Sequence, residues 1–292
     1  MIRFRTLAFP TISAVALAAA LLAAPAAQAG SRLLATGGVT QIEGSAGGGL
    51  APWALISGLG SDRELGASAS CTRVEPQEFS LDTCALSVGI RDRVELSIGH
   101  QTFDVSSVIP DTDISQTIVG VKVRLLGDAV YDQDRWYPQL SAGLQYKKNS
   151  DFGFVPALIG AQHDSDVEPY LAATKVYLAG PFSRTWLVNA TLRATRANQL
   201  GILGFGGDRS DSRSLVAELS TAMFVSDSVV VGAEYRQKPD KLSAFKEDDF
   251  SDVFVAWFPI KNVSVTAAYV DLGNIAIHDD QRAWYLSLQG GL

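Results

Sequence analysis

Apolar and polar residues alternate at period two through most of this chain, and this alternation constrains its fold more than any other feature. In the clearest stretch, Val94, Leu96 and Ile98 alternate with Glu95 and Ser97. Similar stretches begin at Val119, Leu140, Trp186, Val229, Val263 and Trp284. Because successive side chains of a β-strand point to opposite faces, each stretch predicts a strand with one apolar and one polar face. The chain is therefore predicted to be all-β.

Short and long connections alternate between these predicted strands. The short ones lie at residues 61–63, 91–93, 181–183, 226–228 and 260–262, with a looser one at 127–135. The long ones lie at residues 104–113, 148–168, 196–213, 238–251 and 273–281. Outer-membrane barrels combine short periplasmic turns with longer external loops. We therefore predict a transmembrane antiparallel up-and-down β-barrel of about 14 strands, or of about 12 if residues 39–49 form a plug or hook instead.

The N-terminus predicts export. Arg3 and Arg5 precede an apolar stretch that is shorter than the ~20 residues a spanning helix needs, and Ala27-Gln28-Ala29 provides a cleavage site with small residues. We predict a secretory signal peptide over residues 1–29, a barrel over residues 30–292 and an outer-membrane location. The net charge is −7 at pH 7 and basic residues do not cluster, so no nucleic-acid partner is expected.

The chain has two cysteines, Cys71 and Cys84, on either side of a connection near residues 75–79. A symmetric hairpin would set them opposite each other. Because export leads to an oxidising compartment, we predict that they form a disulfide. The alternative, a reactive thiol pair, lacks the CxxC spacing and a neighbouring His in the sequence.

Aromatic residues fall near the predicted strand ends. Trp136, Trp186, Trp257 and Phe258 lie beside short turns, whereas Trp53, Tyr170, Tyr235, Tyr269 and Trp284 lie near long loops. Two aromatic girdles, one at each membrane interface, are typical of transmembrane barrels. We expect contacts with outer-membrane lipid and lipopolysaccharide. The alternation that ends the chain predicts recognition by the barrel-assembly machinery during biogenesis.

The polar faces of the predicted strands carry charged residues, which would cost about 2–4 kcal/mol each on the lipid face at mid-depth. We expect them to line the lumen. The candidate lumen-lining residues are Glu95, Lys122, Arg124, Lys175, Arg193, Glu218, Glu234 and Arg236. They predict either a charged pore wall that selects solutes or a salt-bridge network that fills a closed barrel. About 14 strands enclose more space than side chains alone fill, which favours the channel.

Two predicted external loops are unexpectedly apolar. One contains Phe152, Phe154, Val155, Leu158 and Ile159, and the other contains Leu200, Ile202, Leu203 and Phe205. Such loops fold inward, contact lipid or capture an apolar solute. They predict a mouth that is plugged or gated for small or hydrophobic compounds.

Signatures of enzymatic chemistry are nearly absent: the sequence has no HExxH, GxSxG or Walker motif. We predict no enzymatic activity, cofactor or metal. His100 lies in the lipid-facing phase near an external loop, so a lipid-modifying enzyme is the least favoured alternative; it requires a Ser or carboxylate beside His100. The acidic groups at 247–249 and 279–280 are interpreted as solvated loop residues, because they lack the spacing of a calcium loop.

Several strings of residues carry a resemblance to a known family. They include LLGDAVYDQD at 125–134, GLQYKKN at 143–149, EYRQKPD at 234–240 and VSVTAAYVDLGNIA at 263–276. With them, the chain resembles the proteobacterial domain-of-unknown-function family 3034 over nearly all of its length after the signal peptide. The resemblance implies an outer-membrane protein but no activity and no site residues. Our leading hypothesis is an outer-membrane channel or solute-uptake barrel whose solute is unknown; a structural or adhesion barrel with a closed lumen is the alternative.

Overall fold

The computed structural model describes residue 32 and residues 34–292, and most of this chain forms one closed antiparallel barrel. The wall strands are β3 (Leu65–Glu75), β4 (Ser80–Ile90), β5 (Val94–Asp104), β6 (Asp113–Leu126), β7 (Gln139–Asn149), β8 (Ser165–Tyr177), β9 (Trp186–Thr195), β10 (Ser214–Ser226), β11 (Val229–Arg236), β12 (Phe250–Ile260), β13 (Val263–Asp271) and β14 (Arg282–Gly291). Each strand pairs with its neighbours in the chain. The pairing of β14 with β3, from Trp284 opposite Glu75 to Gly291 opposite Ser68, closes the barrel.

The wall of the described chain thus has twelve strands, which confirms the barrel fold in its twelve-strand form. The count of about 14 was wrong because two short segments in residues 39–49 pair with each other and not with the wall. These are β1 (Val39–Thr40) and β2 (Ala46–Gly47). They belong to residues 34–60, which lie inside the barrel and are named the plug below. The wall therefore begins at Leu65, well inside the predicted range of 30–292.

The two ends of the barrel differ. One end, named the short-turn end, carries the tight turns between β4 and β5, β10 and β11, and β12 and β13, together with the longer connections 127–138 and 178–185. The opposite, long-loop end carries the long connections and a one-turn helix, α1 (Val155–Leu158). In bacterial outer-membrane barrels, the end with the short turns is the periplasmic one. Within residues 34–292, no helix has the length and hydrophobicity needed to cross a membrane.

Burial along the strands is the reverse of that in a soluble protein. In β4 and β5, Leu86, Val88, Leu96 and Ile98 point outward and are exposed, whereas polar residues such as Ser87 are buried inside. An apolar outer band is stable only against lipid, because in water it would be a large exposed hydrophobic patch. The alternation read from the sequence therefore becomes a lipid-facing phase and a lumen-facing phase.

The outer face also carries most of the predicted aromatic girdles. Trp136, Trp257, Tyr269 and Trp284 are exposed near strand ends. Three members of the predicted girdles were placed wrongly, since they are buried inside the barrel: Trp53, Tyr170 and Phe258. Trp53 belongs to the plug. Phe258 follows Trp257 directly, and consecutive residues of a strand cannot both face the lipid.

Candidate functional site

The lumen is filled by the plug, which enters and leaves at the short-turn end. There, Arg32 pairs with Asp92 of the β4–β5 turn, and the Leu59 amide donates to the Leu292 carbonyl at 2.8 Å. Deeper inside, the Gln101 side chain donates to the Ile42 carbonyl at 2.8 Å. The plug is thus a hairpin inserted from one end. Its withdrawal would break no pairing between wall strands.

One ion pair on the wall binds both amide and carbonyl groups of the plug backbone. Glu95 and Lys122 face each other on β5 and β6 at 3.1 Å, and both are almost fully buried. Glu95 accepts hydrogen bonds from the amides of Ala46 (3.1 Å) and Ser57 (2.9 Å). Lys122 donates to the carbonyls of Ala46 (2.9 Å) and Trp53 (3.1 Å). Wall side chains therefore satisfy plug groups that lack a partner in β1 and β2.

A second set of buried charges holds the tip of the plug. The Glu43 carboxylate accepts two hydrogen bonds from the Arg236 guanidinium, both at 3.0 Å, and a third from Lys147. Beside this group, Arg193 forms ion pairs with both Glu218 (2.5 Å) and Glu168 (3.2 Å). The charged cluster consists of Glu43, Lys147, Glu168, Arg193, Glu218 and Arg236. Its three cations and three carboxylates balance, and Glu43 is the member that the plug contributes.

A fourth wall carboxylate, Glu234, lies against Gly48 in the Gly47-Gly48-Gly49 run of the plug. Glu234 accepts a hydrogen bond from the Leu50 amide at 2.8 Å and another from the Ser220 hydroxyl at 2.7 Å. A Cβ atom at Gly48 would lie 2.1 Å from a carboxylate oxygen of Glu234. With any larger residue at position 48, the Glu234 carboxylate would have to move away from the plug backbone.

Six of the eight candidate lumen residues surround the plug, and two do not. Glu95, Lys122, Arg193, Glu218, Glu234 and Arg236 are buried in the lumen. Arg124 instead binds Asp92 and Asp128 at the short-turn end, and Lys175 binds the carbonyls of Asp132 and Arg135 in the β6–β7 connection. These two residues hold turns in place and do not contact the described part of the plug through any ion pair or hydrogen bond in the structure.

Sequence reasoning missed three members of the charged cluster. Lys147 lies in the same strand phase as Gln145, so extending the alternation of β7 by one step predicts its position. Glu168 follows from Asp166 in the same way on β8. Glu43 carries no such signal, because it is 104 residues from Lys147 and 193 residues from Arg236 in the sequence.

The long-loop end is covered by three connections, residues 196–213, 237–249 and 272–281, named the lid. Lys238 and Glu247 form a buried ion pair at 3.1 Å, and Gln199 donates to Glu247 at 2.7 Å. Lys238 also donates to the Leu272 carbonyl at 3.3 Å, so all three connections are joined. Burial lowers the pKa of Lys238 and raises the pKa of Glu247, and the attraction between the two partly opposes both shifts.

The two apolar loops behave differently. Leu200, Ile202, Leu203 and Phe205 are buried within the lid, so this loop folds inward. In the other loop, Phe154 and Leu158 are exposed, whereas Val155 and Ile159 pack against the core. Glu247, interpreted as solvated, points inward to Lys238, and that interpretation was wrong because the sequence does not reveal its distant counter-charge.

Cys71 and Cys84 form a disulfide between directly paired positions of β3 and β4, with an S–S distance of 2.08 Å. His100 lies opposite Cys84 on the outer face, and its Nδ1 atom is 3.3 Å from the Thr117 hydroxyl. The hydrogen-bonding group beside His100 is thus a threonine. The Ser or carboxylate required by the lipid-modifying alternative is absent from the hydrogen bonds that His100 makes to described residues.

Comparisons with known proteins agree with the barrel. The family model described as "Protein of unknown function (DUF3034)" matches residues 36–289. The NanC porin is similar with a TM-score of 0.51 and 9% identity, covering 77% of this chain and 100% of the porin. The KdgM porin (0.49, 11%; 76% and 98% covered) and Omp33 of Acinetobacter baumannii (0.46, 11%; 80% and 100% covered) follow. No sequence among curated proteins matches. At 9% identity, the likeness to the NanC porin shows a shared fold alone.

Proposed function

This chain belongs to DUF3034, a family of proteins of unknown function, and we propose that it is an outer-membrane solute channel held closed by its own N-terminal plug. The observation that carries the proposal is the nature of the contact between plug and wall. Charged and polar side chains of the wall bind the plug through ion pairs and hydrogen bonds. Water can replace the hydrogen bonds between plug and wall when the plug leaves, whereas it replaces poorly the ion pairs of Glu43 and the packing of Val39, Ile42 and Leu50 in the apolar core.

The architecture also supports a removable plug. Twelve strands enclose more space than the eight whose side chains alone fill a barrel, so the wall needs an additional segment to close it. Every strand-to-strand pairing of the wall is complete without the plug, and both described ends of the plug lie at the short-turn end. Opening therefore requires a movement of one hairpin and no rearrangement of the barrel.

The competing function is a structural or adhesion barrel that never opens. Planar-bilayer recordings separate the two. We expect the full chain to be closed with rare openings, and a variant that lacks residues 34–57 to conduct steadily. Heat-modifiable migration in detergent gels reports whether each variant still forms the barrel. A folded deletion variant that does not conduct would reject the channel.

Two glycines on the inner wall provide a test that leaves the charges in place. A Cβ atom at Gly89 would lie 2.2 Å from the Ser57 carbonyl of the plug, whereas one at Gly99 would lie 3.4 Å from its nearest neighbour, the Glu43 carbonyl. We expect Gly89→Ala to weaken plug docking by about 1–3 kcal/mol through overpacking and to increase channel openings.

Gly99→Ala is the matched control, because its new methyl group makes an ordinary van der Waals contact. It should open as rarely as the unmodified chain. Equal opening frequencies for the two variants would mean that the plug is not held where these contacts place it.

A further inference from the structure

An apolar chamber lies between the tip of the plug and the lid. Its volume is about 40 Å³, and its lining is almost entirely apolar. The plug contributes Ile42 and Leu50, the lid contributes Leu200 and Leu272, and the wall contributes Phe103 and Val270. The two plug side chains occupy space that would join the chamber if the tip withdrew.

The charged cluster borders this chamber directly. Arg236 binds both the Glu43 carboxylate and the Leu50 carbonyl, each at 3.0 Å. Lys147 binds Glu43 and donates to the Leu200 carbonyl at 3.1 Å. The cations that hold the Glu43 carboxylate thus also bind the backbone of two chamber residues. The plug tip therefore presents a carboxylate to the cations of the charged cluster and, next to it, apolar side chains to the apolar lining of the chamber.

Withdrawal of the plug would leave both surfaces without a complement. The charged cluster would retain three cations, Lys147, Arg193 and Arg236, against the carboxylates of Glu168 and Glu218 alone. An unpaired charge inside a protein is strongly unfavourable. The apolar lining would meanwhile be exposed to water, at a cost proportional to its area. Water alone therefore replaces the plug tip poorly.

We infer that the chamber and the charged cluster together bind an amphipathic monocarboxylate, a molecule with one carboxylate on an apolar body. This inference rests on the proposed channel. The solute carboxylate takes the place of the Glu43 carboxylate on Arg236 and Lys147, and its apolar body takes the place of Ile42 and Leu50. The plug tip then acts as an internal competitor of the solute, and binding of the solute favours the open state.

The path beyond the chamber is compatible with such a solute. A single cluster of buried apolar residues continues from the chamber along the inner wall through Phe254 to Phe258 near the short-turn end. Most charged groups lie on the other side of the lumen, on β5 to β11, and Asp252 of β12 lies beside them, where it accepts a hydrogen bond from the Glu234 amide. An amphipathic molecule can contact both sides at once.

Bilayer recordings of the full chain test the inference with three probes at equal concentration. They are 4-phenylbutyrate, its uncharged analogue 4-phenylbutan-1-ol, and galacturonate, an acid without an apolar body. We expect 4-phenylbutyrate to increase the opening frequency in a saturable way, and the other two probes to have little effect. Equal responses to all three, or none while the variant lacking residues 34–57 conducts, would overturn the inference and leave the channel standing. A folded deletion variant that does not conduct would overturn both.

Substitutions of Arg236 separate ligand recognition from general loosening of the plug. In Arg236→Gln, withdrawal of Glu43 leaves two cations and two carboxylates, so the need for an anion disappears. The preference for 4-phenylbutyrate over the alcohol should fall roughly tenfold or more, as for the loss of one charge-assisted hydrogen bond. Arg236→Lys retains the charge and should retain most of the preference. An unchanged preference in Arg236→Gln, with the barrel folded, would reject the assigned site.

Discussion

Replacing Glu43 by Gln is expected to raise the fraction of open channels by about 100-fold or more. Glu43 is fully buried and is the one carboxylate that the plug contributes to the charged cluster. Removing one member of a buried ion pair typically costs about 3–5 kcal/mol, because the remaining charges lose their compensation. Each 1.4 kcal/mol changes an equilibrium about tenfold, so a channel that the plug keeps closed becomes a channel that is frequently open. Single-channel recording measures this change directly.

The matched control for Glu43→Gln is Glu75→Gln. Glu75 is also paired with an arginine, Arg73, at 2.6 Å, but both side chains are substantially exposed. Exposed ion pairs contribute about 0–1 kcal/mol, so this variant should gate as the unmodified chain does. Hydrogen exchange of residues 34–60 provides a second measurement, since it should accelerate only in Glu43→Gln. If the two variants gate alike, Glu43 does not hold the plug closed.

The strands of the wall could be predicted from the sequence because the pattern that specifies each strand lies within that strand. In β5, alternation places Leu96 and Ile98 on the lipid face and Glu95 in the lumen, and the structure has all three there. A transmembrane strand must alternate in this way along its whole length, since a charge on the wrong face is costly. The turns at residues 91–93 and 261–262 follow for the same local reason.

The plug could not be predicted in the same way, because its interactions are not local. The segments Val39–Thr40 and Ala46–Gly47 resemble strand residues and do pair, but only within the plug. What keeps them out of the wall is a set of contacts with distant residues, such as Leu50 with Glu234 and Trp53 with Ser220. No pattern in the neighbourhood of Gly47-Gly48-Gly49 reveals that a carboxylate more than 180 residues away approaches it.

The second large effect is expected in the lid, because its central ion pair between Lys238 and Glu247 is also buried. Replacing Lys238 by Met would leave the buried Glu247 carboxylate with its hydrogen bonds from Gln199 but without a counter-charge. We expect the lid to be destabilised by about 3–5 kcal/mol, as for other buried pairs that lose one member. Protease cleavage of residues 196–213 and 237–249 in intact cells reports this loosening, because we expect the long-loop end to face the outside of the cell.

The double variant Lys238→Met with Glu247→Leu tests whether the unpaired charge of Glu247 causes the loosening of the lid. Replacing both members of a buried pair by apolar residues is often neutral or stabilising, so the double variant should resist the protease better than the single one. If both are cleaved equally fast, the contacts of Lys238 with the Leu272 and Asn274 carbonyls hold the lid, and the ion pair does not. Because the plug closes the lumen below the lid, Lys238→Met alone should leave the conductance low. Combined with Glu43→Gln, it should open as often as Glu43→Gln alone, because the plug is the element proposed to close the lumen.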